Sequence, residues 1–147
     1  ATGEEALSLA LNDILVRKRP GGPAAIHVWL IGNGAAAQSL LVHHDDRGDC
    51  CLKCLRTGPA ESRPFWPLVM EEETQSRPAA CGEAAFVPYG VAAPAIAAGM
   101  ALKAALDWSR NASEPSMRTI RVEFSATMAI PDATPEPMID CPACGQL

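Results

Sequence analysis

Two Cys-x-x-Cys pairs carry most of the chemistry available to this chain: Cys51-Leu52-Lys53-Cys54 and Cys141-Pro142-Ala143-Cys144. Two residues between thiols let both sulfurs of a pair turn toward one ion, about 2.3 Å from a zinc. Two such pairs complete a tetrahedral set of four thiolates, the closed kind of site that holds structure together. The separation is unusual. Between Cys54 and Cys141 lie 86 residues, where a local zinc ribbon has roughly 15–20. One metal held by both pairs would clip together the ends of a large loop.

Other uses of the six cysteines are three disulfides, as in a secreted protein, or redox chemistry. Against disulfides, four of the six fall into two knuckles, and 147 residues can form a core without staples. A redox Cys-x-x-Cys needs a following helix whose N-terminus lowers the thiol pKa. After Cys144 only Gly145, Gln146 and Leu147 remain, and Gly58-Pro59 stops any helix soon after Cys54. Cys50 abuts the first knuckle as a bystander, or as a substitute ligand for Cys51. Cys81 stands alone beside Gly82. A lone cysteine is usually a small buried hydrophobe, and a nucleophile is the alternative.

The elements that must position these residues read as α-β-β-loop-α-β-tail. Residues 1–19 predict a helix: Thr2 and Glu5 form a capping-box pattern, and Leu7, Leu11, Ile14 and Leu15 share one face. Pro20-Gly21-Gly22-Pro23 ends it. Residues 25–31 alternate as a strand with Ile26, Val28 and Leu30 on one side, and 39–43 read as a second strand. Gly32-x-Gly34-x-x-Ala37 between them imitates a dinucleotide fingerprint, but the segment after it is too short for the helix that motif opens. A hairpin turn is the better reading. Residues 56–78 hold four prolines and the acidic run Glu71-Glu72-Glu73, a long loop of the kind that is more often functional than inert. Residues 91–108 predict the longest helix, with Ile96, Met100 and Ala104 inward and Pro94 early, where proline is tolerated. Residues 119–125 alternate Ile120, Val122 and Phe124 with charge, a half-buried strand. A proline-rich tail delivers the second knuckle.

Composition narrows the function classes. A 48% hydrophobic, 20% charged chain folds. Net charge is −5 and the longest basic cluster is Arg17-Lys18-Arg19, so nucleic acid is not an expected partner. No apolar run approaches the roughly 18 residues of a membrane span. His43-His44 read as surface residues at a strand end, and Asn111-Ala112-Ser113 is a glycosylation pattern without meaning in the absence of a secretory signal. The opening Ala1-Thr2-Gly3, without an initiator Met, reads as part of a longer polypeptide.

Taken together, Ala1-Thr2-Gly3, Cys51-Leu52-Lys53-Cys54-Leu55, Cys81-Gly82 and Cys141-Pro142-Ala143-Cys144 resemble the C-terminal half of ThiF/MoeB-like enzymes, bacterial relatives of ubiquitin-activating enzymes. In that family two distant Cys-x-x-Cys knuckles hold a structural zinc. The segment from Val28 through Val42, followed by Cys51 to Leu55, looks closest to activating domains of bacterial anti-phage conjugation operons. The resemblance implies an α/β fold: the C-terminal part of a Rossmann-like ThiF domain, a mixed sheet with helices and a zinc clip, spanning residues 1–147 as one partial domain with a crossover loop at 56–80. It implies Zn2+ on Cys51, Cys54, Cys141 and Cys144, with ATP and Mg2+ used by the full-length enzyme.

The implied chemistry has two steps. ATP adenylates the C-terminal carboxylate of a small protein, and a cysteine of the crossover region then takes the acyl group as a thioester. By position that cysteine is Cys81, and Arg77 is a candidate to favour its thiolate. The implied partners are a ubiquitin-like or other protein with a flexible C-terminus, a conjugating domain or protein, and a second copy in a homodimer, in the cytoplasm. The family's nucleotide loop and its metal-binding Asp would lie upstream, so the 147 residues alone are not expected to adenylate. Two alternatives stand beside this reading: a sulfur-carrier adenylyltransferase of cofactor biosynthesis, and a zinc-stabilised interaction module without chemistry.

Overall fold

Alternating apolar residues around a glycine-rich turn build the centre of the molecule. The computed structural model describes residues 5–19, 21–31, 34–42, 50–57, 77–78, 85–86, 89–112, 115–121 and 132–145. Strand β1 (Ala25–Ile31) and strand β2 (Ala36–Val42) form an antiparallel hairpin, from Ile31 opposite Ala36 to Ala25 opposite Val42. Gly34 of the fingerprint-like pattern therefore lies in the connection of a hairpin, and Gly32 lies outside the described residues. Strand β5 (Met117–Arg121) pairs antiparallel with the far edge of β2, giving the order β1-β2-β5. Every ladder among the described residues is antiparallel, where a mixed sheet was expected. A hairpin on one edge of β2 and a returning strand of opposite direction on the other leave no parallel pair.

β2 begins three residues earlier than its apolar run suggests, because Ala36 and Ala37 pair as strand instead of lying in the turn. All seven of its residues are buried. Small side chains are needed there because helix α3 (Ala92–Ser109) lies across that face. Ala37 packs with Ala97 and Met100, bordered by Val28, Leu30 and Ile96. The inward face of α3 is Ala93, Ala97, Met100 and Ala104; Met100 and Ala104 are buried as expected, while Ile96 is only half-buried at the border, and Pro94 sits in the first turn. Ser39 is 1% exposed on this face, and its hydroxyl has no hydrogen-bond partner among the described residues. At the helix end, Arg118 of β5 reaches Asp107 at 2.7 Å, and Lys103 bonds the same carboxylate. Those two cations hold the Asp107 carboxyl below the usual range. Gly34 closes the other end. Its φ is +86°, and a Cβ would lie 2.8 Å from the Tyr89 Cβ and 2.9 Å from the Ala93 Cβ.

The opposite face of the sheet carries Leu40, Val42 and Met117, covered by Leu52 and bordered by Leu9, Trp29 and Leu55. Met117 is the buried residue of β5, while Ile120 is 44% exposed; the expected inward set Ile120, Val122 and Phe124 is corrected to that extent, and the last two lie outside the described residues. Polar groups tie the three strands across this face. Trp29 Nε1 donates to Gln38 Oε1 and Gln38 Nε2 to Thr119 Oγ1, both at 3.0 Å. Helix α2 (Leu52–Thr57) sits above them, with Arg56 5.2 Å from the centre of the Trp29 ring, a cation–π distance. Helix α1 (Glu5–Val16) is turned away from the orientation its leucines suggest. Leu7, Leu11 and Ile14 are exposed, whereas Asn12 and Val16 are 1% exposed. The proposed cap residue Thr2 lies outside the described residues.

Of the expected crossover at 56–80, Arg56 and Thr57 close α2, and Arg77–Pro78 form strand β3. β3 pairs antiparallel with strand β4 (Ala85–Phe86), Arg77 opposite Phe86. No described helix is long and apolar enough to cross a membrane.

Gly34→Ala is expected to destabilise by roughly 1–3 kcal/mol, the cost of forcing a side-chain-bearing residue into the left-handed region, with added strain against Tyr89 and Ala93; thermal denaturation reads this as a lowered midpoint. Ser39→Ala runs the other way. Removing a buried hydroxyl that lacks a partner leaves stability unchanged or slightly raised, and a clear loss in the same melting experiment would show that the hydroxyl is used.

Candidate metal centre

The first knuckle begins at the mouth of α2. Cys51 directly precedes the helix, and the Cys54 amide donates to the Cys51 carbonyl at 3.1 Å, so both thiols lie on one turn. Gly58-Pro59 follow in sequence and α2 ends at Thr57, a helix of six residues. The second knuckle is a pair of turns: the Cys141 amide donates to the Met138 carbonyl at 3.1 Å, and the Gly145 amide to the Cys141 carbonyl at 2.9 Å. Gly145 is required by contact. A Cβ there would run into the carbonyl oxygens of Ile139 and Cys141. Nothing in the spacing of the cysteines announces this glycine except its place one residue after the last of them.

The fold brings the two knuckles together. Cys51 Sγ lies 3.8 Å from Cys54 Sγ and 3.7 Å from Cys141 Sγ, Cys54 Sγ lies 3.2 Å from Cys144 Sγ, and all four sulfurs fall within 4.8 Å of one another. A tetrahedron of thiolates about 2.3 Å from a central ion has edges of about 3.8 Å. The donor set therefore fits a metal ion that prefers sulfur, and the four cysteines could hold one. No disulfide joins the described cysteines. Cys51 and Cys141 are at most 1% exposed, Cys54 and Cys144 9%, and Val16, Leu55, Met138 and Ala143 close the surroundings. Four such ligands in a buried setting would leave no open coordination position, the arrangement of a structural site.

Without a cation Cys51, Cys54 and Cys144 resist ionisation. Hydrogen bonding to the Cys54 thiol, then burial, pushes the Cys51 thiol far up, with Asn12 pulling in the opposite direction. Burial, then hydrogen bonding to Cys54, does the same to Cys144. Hydrogen bonding of the Cys54 thiol to Cys50 leads the rise at Cys54. A bound divalent cation inverts this balance, since the thiolate is the ligand and the ion carries the compensating charge.

Contacts beyond the four sulfurs hold the arrangement. The Met138 amide donates to Cys54 Sγ at 3.4 Å, Asn12 donates to Cys51 Sγ at 3.5 Å, and Lys53 pairs with Asp13 at 2.7 Å. Asn12 was not visible as a site residue in sequence; the available signal is an asparagine four residues before Val16 on the same helical face. Cys50 is buried, and its thiol donates to the Cys51 carbonyl at 3.6 Å. It stands outside the four-sulfur group, so Cys51 and not Cys50 completes the first knuckle. Cys81, His43 and His44 lie outside the described residues.

No family model and no solved structure matches the chain. It is 29% identical over 150 residues, 98% of its length, to the ATP-dependent ubiquitin transferase-like protein Cap2 of Pseudomonas aeruginosa (strain BWHPSA011 / Pa011). The chain spans about a quarter of the length of that relative, 25%. The resemblance to ubiquitin-activating-like enzymes read from the cysteine pattern is borne out by this likeness.

Cys54→Ser and Cys144→Ser are each expected to abolish stoichiometric metal binding, and Cys50→Ser to retain it. Structural metal sites of this kind contribute on the order of 10 kcal/mol to folding in small domains, so the ligand variants and the chelator-treated wild-type chain should melt earlier than the Cys50 variant. Elemental analysis alongside thermal melts checks this; metal loss in Cys50→Ser alone would reassign the ligand.

Proposed function

We propose that this chain is the metal-clipped part of an ATP-dependent ubiquitin-activating-like enzyme, with Zn2+ on Cys51, Cys54, Cys141 and Cys144. The observation that carries the reading is the convergence of two knuckles 86 residues apart in sequence on one buried four-sulfur centre, in a chain similar along nearly all its length to an ATP-dependent ubiquitin transferase-like protein. Zinc matches the donor chemistry: four thiolates in a closed, buried set, with no role for redox change.

On this reading the chain is the C-terminal part of a Rossmann-like ThiF domain, residues 1–147, with 56–80 as its crossover. The nucleotide-binding segment belongs to the rest of a longer protein, and the metal centre takes no part in the reaction. Its role is to fix the ends of the segment that contains Cys81. The full-length enzyme uses ATP and Mg2+ to adenylate the C-terminal carboxylate of a ubiquitin-like or other protein with a flexible C-terminus, releasing pyrophosphate. The Cys81 thiolate then attacks the acyl carbon. A carbon–sulfur bond forms, the bond to the AMP oxygen breaks, and AMP leaves with that electron pair. A homodimer acting with a conjugating domain in the cytoplasm completes the proposal.

The test uses the full-length protein with ATP, Mg2+ and its modified partner. Cys81→Ala should abolish a reductant-sensitive adduct on non-reducing gels while leaving ATP–pyrophosphate exchange near the wild-type rate, because adenylation precedes thiol attack. Cys81→Ser should trap a reductant-stable oxyester. An undiminished thioester in Cys81→Ala would remove Cys81 from its role, and a persulfide at Cys81 in the wild-type protein would move the assignment to the sulfur-carrier branch.

A further inference from the structure

Asn12 is a polar residue buried to 1% exposure in α1, and both ends of its carboxamide are committed to the first knuckle. The Leu52 amide can only donate, so the group facing it at 3.0 Å is the Asn12 oxygen. The amide nitrogen is thereby directed to Cys51 Sγ, at 3.5 Å. The adjacent Asp13 pairs with Lys53, inside the same knuckle, at 2.7 Å. One turn further along, Val16 packs directly among Cys50, Cys51, Cys54, Cys141 and Cys144. Leu7, Leu11 and Ile14 meanwhile stay exposed. The buried face of α1 is thus the one that brings Asn12 and Val16 to the cysteines and Leu9 to the sheet, not the leucine stripe.

Four thiolates around a divalent cation carry a net charge of minus two, and burial makes that charge costly unless donors point at the sulfurs. Two such donors are the Met138 amide on Cys54 Sγ and the Asn12 amide on Cys51 Sγ. The first is backbone and comes with the second knuckle. The second is a side chain delivered from a separate helix.

We infer that Asn12 is a positioning residue of the metal centre: its Nδ2 sustains Cys51 Sγ as a ligand, and its carboxamide makes the seating of α1 depend on metal loading. The inference rests on the reading that the four cysteines hold a metal, and it assigns α1 to the site.

The experiment compares the wild-type chain with Asn12→Asp and Asn12→Leu. Zn2+ affinity is measured by competition with a chromophoric chelator, Co2+ reports the thiolate charge-transfer band, and hydrogen exchange follows the α1 amides. Aspartate keeps the acceptor for the Leu52 amide but removes the donor to sulfur and adds a negative charge beside it. The Zn2+ dissociation constant is expected to rise about 10–100-fold in Asn12→Asp, the usual effect of losing a partner of a ligand, with a shifted Co2+ band. Asn12→Leu, close in size, should weaken Zn2+ in the same direction, and stripping metal from the wild-type chain should speed exchange along α1. Should Asn12→Leu fail to fold, the aspartate variant and the wild-type exchange data decide. Wild-type Zn2+ affinity and an unchanged Co2+ band in Asn12→Asp, even with a lower melting point, would reduce Asn12 to a packing role and overturn the inference. A wild-type chain that binds neither Zn2+ nor Co2+ overturns the metal reading itself, and this inference with it.

Discussion

Four sulfur atoms within 4.8 Å of one another, almost wholly out of water, form an arrangement that depends on charge. As neutral thiols they offer one another only weak hydrogen bonds. As thiolates they repel strongly in a medium of low polarity, and only a cation at their centre relieves that. The two knuckles also hold the segments that lead to and from them. α2 projects Arg56 over Trp29, and Leu52 and Leu55 cover the face of the sheet opposite α3. The tail from Asp132 to Cys141 passes β5, where Met117 and Ala133 exchange two backbone hydrogen bonds. Both faces of β2 are thus sealed, one by α3 and the other through elements anchored at the cysteines.

The sheet and the cysteine cluster are built on different principles, and they meet at few points. On the α3 side the packing is steric: alanines at Ala37, Ala93, Ala97 and Ala104 let helix and sheet approach closely. On the cysteine side it is polar and directional, through Asn12, the Lys53–Asp13 pair and the amide of Met138. A close-packed apolar face tolerates small adjustments in its partners. A directional face has no such latitude, because a hydrogen bond to sulfur or a ligand vector fails over a fraction of an ångström.

The knuckles were legible in the sequence because ligand chemistry demands specific residue types at fixed short spacing. So was the hairpin, from glycines between two apolar runs, and the inner face of α3, from its period. The misreadings share a cause. The leucines of α1 point to one buried face, but Asn12, with its two hydrogen bonds at the first knuckle, lies with Val16 and Leu9 on the face that is covered. Ala36 and Ala37 resemble turn residues in sequence, yet both pair in the ladder, and Ala37 packs beneath α3. β5 was faced by Ile120, while Met117 is the residue that meets Leu40 across the ladder. In each case the deciding partner lies far away in sequence, where local periodicity carries no information. Cys81 lies outside the described residues, and the role proposed for it rests on position within a resemblance.

β2 joins two time scales. Its pairing with β1 closes across a handful of residues, the sort of hairpin that forms in microseconds. Its pairing with β5 brings Leu40 against Met117, and that contact waits on a loop whose closure entropy grows with its length. The 86 residues between the knuckles carry a closure term of about 4 kcal/mol by the same logarithmic scaling. An ion captured by the cysteines before the sheet is complete would meet that term in advance and leave β5 already near its edge. Metal would then act on the rate at which this chain acquires its third strand as well as on how firmly it keeps it.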